Sequence, residues 1–147
     1  MRDIKDSKSC LLRIGYDGRV HKRYRGPLAQ LRFENEVRIL RFLEEKGCTF
    51  VPRLLEVHPE ERYIITTNCG SVAPSISDEK VQGLFSELET YGVRHEDPFA
   101  RNVTYSQQLG RFCLIDFEFA TILSTGEGLT PEAAEKAYRE DLKKEHG

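Results

Sequence analysis

The sequence lacks a long hydrophobic run, an excess of charge of one sign and closely spaced cysteines. No window approaches the roughly eighteen apolar residues of a membrane span, and the charged N-terminus has no apolar segment of the signal-peptide kind. With 24 acidic and 22 basic residues the net charge is −2, which indicates neither nucleic acid nor a membrane surface as a partner. We therefore expect a cytoplasmic protein.

The four cysteines, Cys10, Cys48, Cys69 and Cys113, are scattered along the chain without a C-x-x-C motif or a nearby histidine pair. This favours reduced structural thiols over disulfides or a zinc site. The length of 147 residues suits one domain, or two small lobes that share a cleft, and 39% hydrophobic residues suffice for a core.

Apolar periodicity and turn residues predict an α+β fold. A hairpin is expected over residues 10–25, with its turn at Gly15-Tyr16-Asp17-Gly18. The other predicted strands cover residues 54–57, 63–66, 102–105 and 112–115. The predicted helices cover residues 28–46, 77–91 and 131–144, and a linker is expected over residues 71–77.

Within the first helix, Phe33, Val37, Leu40 and Leu43 form an apolar stripe at helical spacing, and Glu36 falls inside it. A carboxylate in the apolar sector of a helix is costly unless it has a partner. The pattern therefore predicts that Glu36 has a partner.

The stretch His95-Glu96-Asp97-Pro98-Phe99-Ala100-Arg101-Asn102 precedes a predicted strand that ends at Asp116. A strand-loop-strand can bring Asp97, Asn102 and Asp116 into one pocket. These residues are the set that a phosphoryl-transfer site needs, namely a base that orients a hydroxyl and two oxygen ligands for Mg²⁺.

The pattern H-x-D-x-x-x-x-N followed by I-D-F resembles the catalytic and metal-binding loops of the protein-kinase-like superfamily. Residues 22–25, 36–40 and 51–55 look like the KEOPS-complex kinase and the aminoglycoside phosphotransferases. Residues 115–120 are similar to choline and ethanolamine kinases, in which glutamate replaces the last glycine of D-F-G. The resemblance covers residues 10–120 and is to the superfamily, with no single family favoured.

This resemblance implies a bilobal protein-kinase-like fold in one minimal domain, residues 1–147. An antiparallel-sheet N-lobe would cover about residues 9–70, and a much reduced C-lobe about residues 71–147. Lys22 would bind the α- and β-phosphates of ATP and pair with Glu36. Asp97 would orient the attacking hydroxyl, and Asn102 and Asp116 would ligate Mg²⁺.

The sequence departs from the kinase pattern at two positions, and each departure limits the roles that the resemblance implies. Glu96 stands where most protein kinases have arginine, so control by a phosphorylated activation loop is not expected. Phe99 replaces the catalytic-loop lysine of Ser/Thr kinases. Arg101 is similar to the arginine that precedes the asparagine in tyrosine kinases; it could supply that charge, or it could be a solvent-facing loop residue.

The nucleotide-binding elements are less complete in sequence. Gly15-x-x-Gly18 lacks the full G-x-G-x-x-G, and both a phosphate-contacting loop and a plain hairpin turn are open. By position in the resemblance, adenine would bond to backbone groups of Thr67, Asn68 and Cys69.

We expect an ATP- and Mg²⁺-dependent phosphotransferase, first of all a minimal Ser/Thr protein kinase that can phosphorylate itself. Only 27 residues follow Ala120, too few for the acceptor pocket of small-molecule kinases. The same shortage favours a protein substrate, a partner chain or a homodimer. The alternatives are a nucleotide-binding pseudokinase, an aminoglycoside- or choline-kinase-like phosphotransferase, and an ATPase-like switch.

Overall fold

Ten strands and three α-helices make up the part of the chain that a computed structural model describes, residues 2–7 and 9–146. The strands are β1 Arg2–Asp6, β2 Cys10–Ile14, β3 Val20–Tyr24, β4 Leu54–His58, β5 Tyr63–Thr66, β6 Ser71–Val72, β7 Val93–His95, β8 Val103–Ser106, β9 Arg111–Leu114 and β10 Ala120–Ile122. The helices are α1 Ala29–Glu45, α2 Asp78–Thr90 and α3 Pro131–His146. The predicted α+β class is confirmed, while the predicted domain limits at Met1 and Gly147 lie outside the described residues.

The largest sheet is antiparallel, with the strand order β1-β2-β3-β5-β4. The predicted hairpin is present, and Lys22 of β3 lies between Leu12 of β2 and Ile64 of β5. Strand β1 was not predicted, because its polar sequence carries no apolar alternation and its pairing comes from β2 alone. It adds a second turn to the sheet, between Ser7 and Cys10.

Two smaller antiparallel sheets follow, in the orders β6-β8-β9 and β10-β7. The segment predicted as a linker begins with strand β6, which pairs through Ser71 with Tyr105 and is too short to give a sequence signal. The strand predicted from Asn102 begins at Val103, since Asn102 is the last residue of a 3-10 turn, Ala100–Asn102. This turn brings the Asn102 side chain back toward Asp97.

The helices begin and end close to where their capping residues predict. Helix α1 ends before Gly47, which has a φ of +77° that glycine adopts without strain. The Ser77 hydroxyl accepts a hydrogen bond from the Lys80 N–H at 3.1 Å and caps α2. The Thr130 hydroxyl accepts from the Ala133 N–H at 3.1 Å at the start of α3.

One hydrophobic core runs from Tyr24 to Ile122 and contains the predicted α1 stripe together with residues of α2, β8 and β9. Strands of the large sheet and the loop that follows β9 are therefore packed on a common interior. Among the described residues, no helix is both long and apolar enough to cross a membrane.

Candidate functional site

The predicted ion pair between β3 and α1 is present. The Lys22 ammonium donates to Glu36 Oε1 at 2.7 Å, and both side chains are at least nine-tenths buried. The Tyr24 hydroxyl donates to the same oxygen, and the Phe117 backbone N–H donates to Glu36 Oε2 at 2.7 Å. Both oxygens of the buried carboxylate are thus satisfied, and the Phe117 bond ties α1 to the segment that follows β9.

Lys22 also contacts two further carboxylates from that segment, Asp116 at 3.4 Å and Glu118 at 3.3 Å. Asp116 has a φ of 63°, a left-handed conformation that is rare for a residue other than glycine. Asn35 of α1 holds the segment in place, because its amide donates to the Glu118 carbonyl oxygen at 2.9 Å. Strained backbone of this kind is concentrated at functional sites.

The charged side chains of Lys22, Glu36, Asp116 and Glu118 form a cluster, and they shift one another's pKa values. Burial by itself lowers the pKa of Lys22, but the carboxylates of Asp116, Glu118 and Glu36 outweigh it and raise that pKa well above its ordinary value. Burial raises the pKa of Asp116, yet the nearby Lys22 and Lys5 reverse the direction and lower it. Burial also raises the pKa of Glu118, where the neighbouring carboxylates add to the effect. Lys22 is therefore held in its charged form, and so is Asp116 at neutral pH.

Asp97, Arg101 and Asn102 form a second group in the loop after β7. Arg101 donates to both carboxylate oxygens of Asp97, at 3.1 Å through Nε and 2.5 Å through a terminal nitrogen. The Asn102 amide donates to the Asp97 carbonyl oxygen at 2.9 Å and to its carboxylate at 2.8 Å. The loop therefore holds Asp97 in one orientation, as a positioned base requires.

His95 joins the two groups. Its Nε2 bonds to the Ile115 carbonyl oxygen at 3.0 Å, while its Nδ1 accepts from the Asp97 N–H at 3.0 Å. The ring packs against Phe85 and Phe117. Since each ring nitrogen has one defined role, this geometry suits the neutral imidazole and fixes its tautomer.

Burial lowers the pKa of His95 below its ordinary value of 6.5. Below about pH 6.5 the unfolded chain takes up a proton that the folded chain refuses, so the free energy of unfolding should fall as the pH drops. The slope from this group is at most about 1.4 kcal/mol per pH unit. We expect urea denaturation between about pH 7.5 and about pH 5 to show a smaller slope for His95→Asn than for wild type. Equal slopes would mean that the pKa of His95 is the same in the folded and the unfolded protein.

Three carboxylates, from Glu36, Asp116 and Glu118, each place an oxygen within 4.8 Å of the others. Among the described residues, the Lys22 ammonium and the Arg32 guanidinium are the two cations in contact with them, one fewer than the carboxylates. The side chain of Asp116 is 37% exposed, whereas those of Glu36 and Glu118 are 5% and 10% exposed. Asp116 is therefore the carboxylate that a cation from solvent can reach.

Asn102 is the second ligand that the sequence predicts for such a cation. Because its amide nitrogen is directed to Asp97, its side-chain oxygen is the atom left for a metal. The Ile115 N–H donates to the Asn102 carbonyl oxygen at 3.0 Å, which places Asn102 beside the residue that precedes Asp116. This all-oxygen set fits Mg²⁺, a hard cation bound by few protein ligands.

The sequence left two interpretations of Gly15 and Gly18 open, a phosphate-contacting loop and a plain hairpin turn. The Gly15 N–H donates to the Arg19 carbonyl oxygen at 2.9 Å, and the Gly18 N–H donates to the Gly15 carbonyl oxygen at 3.0 Å. Both donors are thus used inside the turn. Of these two interpretations, the geometry favours the plain hairpin turn.

Two backbone groups of the predicted adenine-contacting segment, residues 67–69, already have hydrogen-bond partners within the protein. The Thr67 N–H donates to the Arg53 carbonyl oxygen at 3.0 Å, and the Cys69 carbonyl oxygen accepts from the Thr104 hydroxyl at 2.6 Å. The structure thus places Thr67 and Cys69 directly after β5, but it does not bring them into the Lys22 cluster.

Sequence reasoning missed two charged members of the site. Glu118 was noted only as a replacement for glycine, although the structure places its carboxylate beside Lys22. Arg32 is buried and lies one turn before Glu36 on the same helix. The sequence did contain a signal for Arg32, because this charged residue stands four positions before Glu36, the carboxylate within the apolar stripe.

No protein-family model matches the chain, and no curated protein matches it significantly in sequence. The function proposed below therefore stands on the residues and their geometry.

Proposed function

We propose that the protein is an ATP- and Mg²⁺-dependent phosphotransferase with a bilobal protein-kinase-like fold. The five-stranded sheet and α1 would form one lobe, and the elements from β6 onward a reduced second lobe. One observation carries the proposal: the buried Lys22 ammonium joins Glu36 of α1 to Asp116, next to a loop that orients Asp97. An ammonium beside a metal-competent carboxylate and a positioned base is what phosphoryl transfer requires.

In this proposal each residue has one task. Lys22 binds the phosphates of ATP, and Glu36 holds its ammonium in place. Asn102 and Asp116 hold Mg²⁺, which neutralises charge on the β- and γ-phosphates when bound. Asp97 orients the acceptor hydroxyl and accepts its proton, and positioning matters more than basicity because the transition state is loose.

The acceptor that fits best is a Ser or Thr hydroxyl of a protein, including this chain itself. Of the α3 residues whose burial is described, Ala134 alone is fully buried, so this helix does not close over the site. The chain after β10 therefore builds no enclosed pocket for a small acceptor within the described residues. An open surface suits a protein substrate, a partner chain or a second copy.

Incubation of the protein with γ-labelled ATP and Mg²⁺, alone and with a generic protein, tests the proposal. We expect label in protein, and a loss of about a hundredfold or more in Asp97→Ala, since general-base groups contribute on that scale. Replacement of the exposed Asp141 of α3 by Ala serves as the control and should leave the label unchanged. Release of free phosphate without labelled protein would favour an ATPase-like switch.

One observation favours a second function, nucleotide binding without transfer. Arg101 engages both oxygens of Asp97, so the base is occupied by a cation. In a pseudokinase this pair would persist when ATP is bound. Tight ATP binding by calorimetry, with neither labelled protein nor released phosphate, would replace the phosphotransferase proposal by this one.

A further inference from the structure

Arg32 of α1 is a buried arginine whose side chain donates four hydrogen bonds. Its side chain is 5% exposed, and it donates to three carbonyl oxygens and one carboxylate. The carbonyl acceptors are Pro27 at 3.0 Å, Ser9 at 3.2 Å and Arg25 at 2.6 Å, and the carboxylate is that of Glu118 at 3.2 Å. Few side chains other than arginine can serve four acceptors from one fixed plane.

The Ser9 carbonyl oxygen belongs to the turn between β1 and β2, which runs from Ser7 to Cys10. The Ser7 N–H donates to the Cys10 carbonyl oxygen at 3.0 Å and closes the turn. The Ser9 carbonyl oxygen also accepts from the Arg25 N–H at 3.0 Å. Since β1 pairs only with β2, this oxygen is a principal attachment of the turn to the rest of the protein.

Glu118 links Arg32 to the charged groups around Lys22. One oxygen, Oε1, lies 3.2 Å from the Arg32 guanidinium and 3.3 Å from the Lys22 ammonium. An unbroken set of contacts therefore runs from the β1–β2 turn through Arg32 and Glu118 to Lys22. Every side chain in it is about nine-tenths buried, so solvent screens these charges little.

We propose that Arg32 is a positioning residue that, through Glu118, holds the β1–β2 turn at a fixed place relative to the Lys22 ammonium. Because the Glu118 carboxylate contacts both cations, Arg32 then also fixes the position in which the ammonium meets the phosphates of ATP. Preformed contacts bind a ligand more tightly because less order has to be imposed on binding. This inference rests on the proposed function, since it assigns the phosphates to Lys22.

Arg32→Lys is the decisive variant. A lysine keeps the positive charge beside Glu118, but it cannot reach the Ser9 and Arg25 carbonyl oxygens at the same time. We expect the KM for ATP to rise about tenfold with a smaller change in kcat, the size of one or two lost charge-assisted hydrogen bonds. Amide hydrogen exchange at Ser7 and Arg25 should become faster, while the melting temperature stays near that of wild type.

Arg32→Met and Arg41→Met complete the experiment. Arg32→Met removes the charge as well, so it should raise the KM and the exchange rate and also lower the melting temperature. Arg41 is exposed on the same helix, and its replacement should change none of the three. If Arg32→Lys had the KM for ATP and the amide exchange rates of wild type, Arg32 would only neutralise Glu118, and the inference would be overturned. Failure of wild type to bind or use ATP would instead overturn the proposed function, while the exchange rates still report whether Arg32 holds the turn.

Discussion

Asp116→Asn should reduce Mg²⁺-dependent phosphoryl transfer on the order of a thousandfold in kcat/KM. Asparagine keeps the size of the side chain and an oxygen for Lys22, but it removes the charge that attracts the cation. Asp116 is the most exposed carboxylate of the three around Lys22, so neither Glu36 nor Glu118 can take its place without losing its own buried contacts. Initial rates measured over a range of ATP and Mg²⁺ concentrations test this, and saturation with Mg²⁺ should not restore the wild-type rate.

The control for this prediction is Asp141→Asn, an exposed position of α3. It removes the same charge from the chain and should leave kcat/KM unchanged. Circular dichroism melts of both variants establish that each is folded. A folded Asp116→Asn protein with normal kcat/KM would show that Asp116 is no metal ligand.

Lys22→Met is expected to cost about 3–5 kcal/mol in the free energy of unfolding, because it leaves buried carboxylates without their cation. Three carboxylate oxygens lie within 3.4 Å of the ammonium, and its side chain is only 9% exposed. The same variant should lose ATP binding, since the phosphate-binding charge is gone. Urea denaturation and calorimetric titration with ATP measure the two effects.

A second substitution separates these effects. Lys22→Met combined with Glu36→Gln removes the charge of the carboxylate that bonds the ammonium at 2.7 Å, so part of the stability should return while ATP binding stays lost. Lys136→Met, at an exposed position of α3, is the matched control and should change neither quantity. Wild-type stability in Lys22→Met would contradict the buried ion cluster.

The cluster around Lys22 is poorly explained by stability alone. A buried ion pair seldom stabilises a protein more than apolar residues of the same volume would, because each charge loses its hydration. Here the desolvation of several charged groups is combined with a left-handed Asp116 backbone, which adds strain. Two unfavourable features at one place are expected where a chain is selected for chemistry.

The sequence predicted the local features of this fold well, since they depend on neighbouring residues. The Gly15–Gly18 turn, the Ser77 cap and the Gly47 stop are each specified within a few positions. Strand β1 escaped prediction because its pairing with β2, and not its own pattern, makes it a strand. The same holds for β6, β7 and β10, which have two or three residues each.

For the site, the sequence by itself predicted that Glu36 needs a partner and that the loops carrying Asp97, Asn102 and Asp116 come together. Helical periodicity and loop spacing carry that much information. Only the tertiary structure decided that Lys22 meets three carboxylates, and that Arg32 and Glu118 extend the cluster to the β1–β2 turn. These contacts join residues up to 96 positions apart in the sequence, where no local pattern records which charges will be desolvated together.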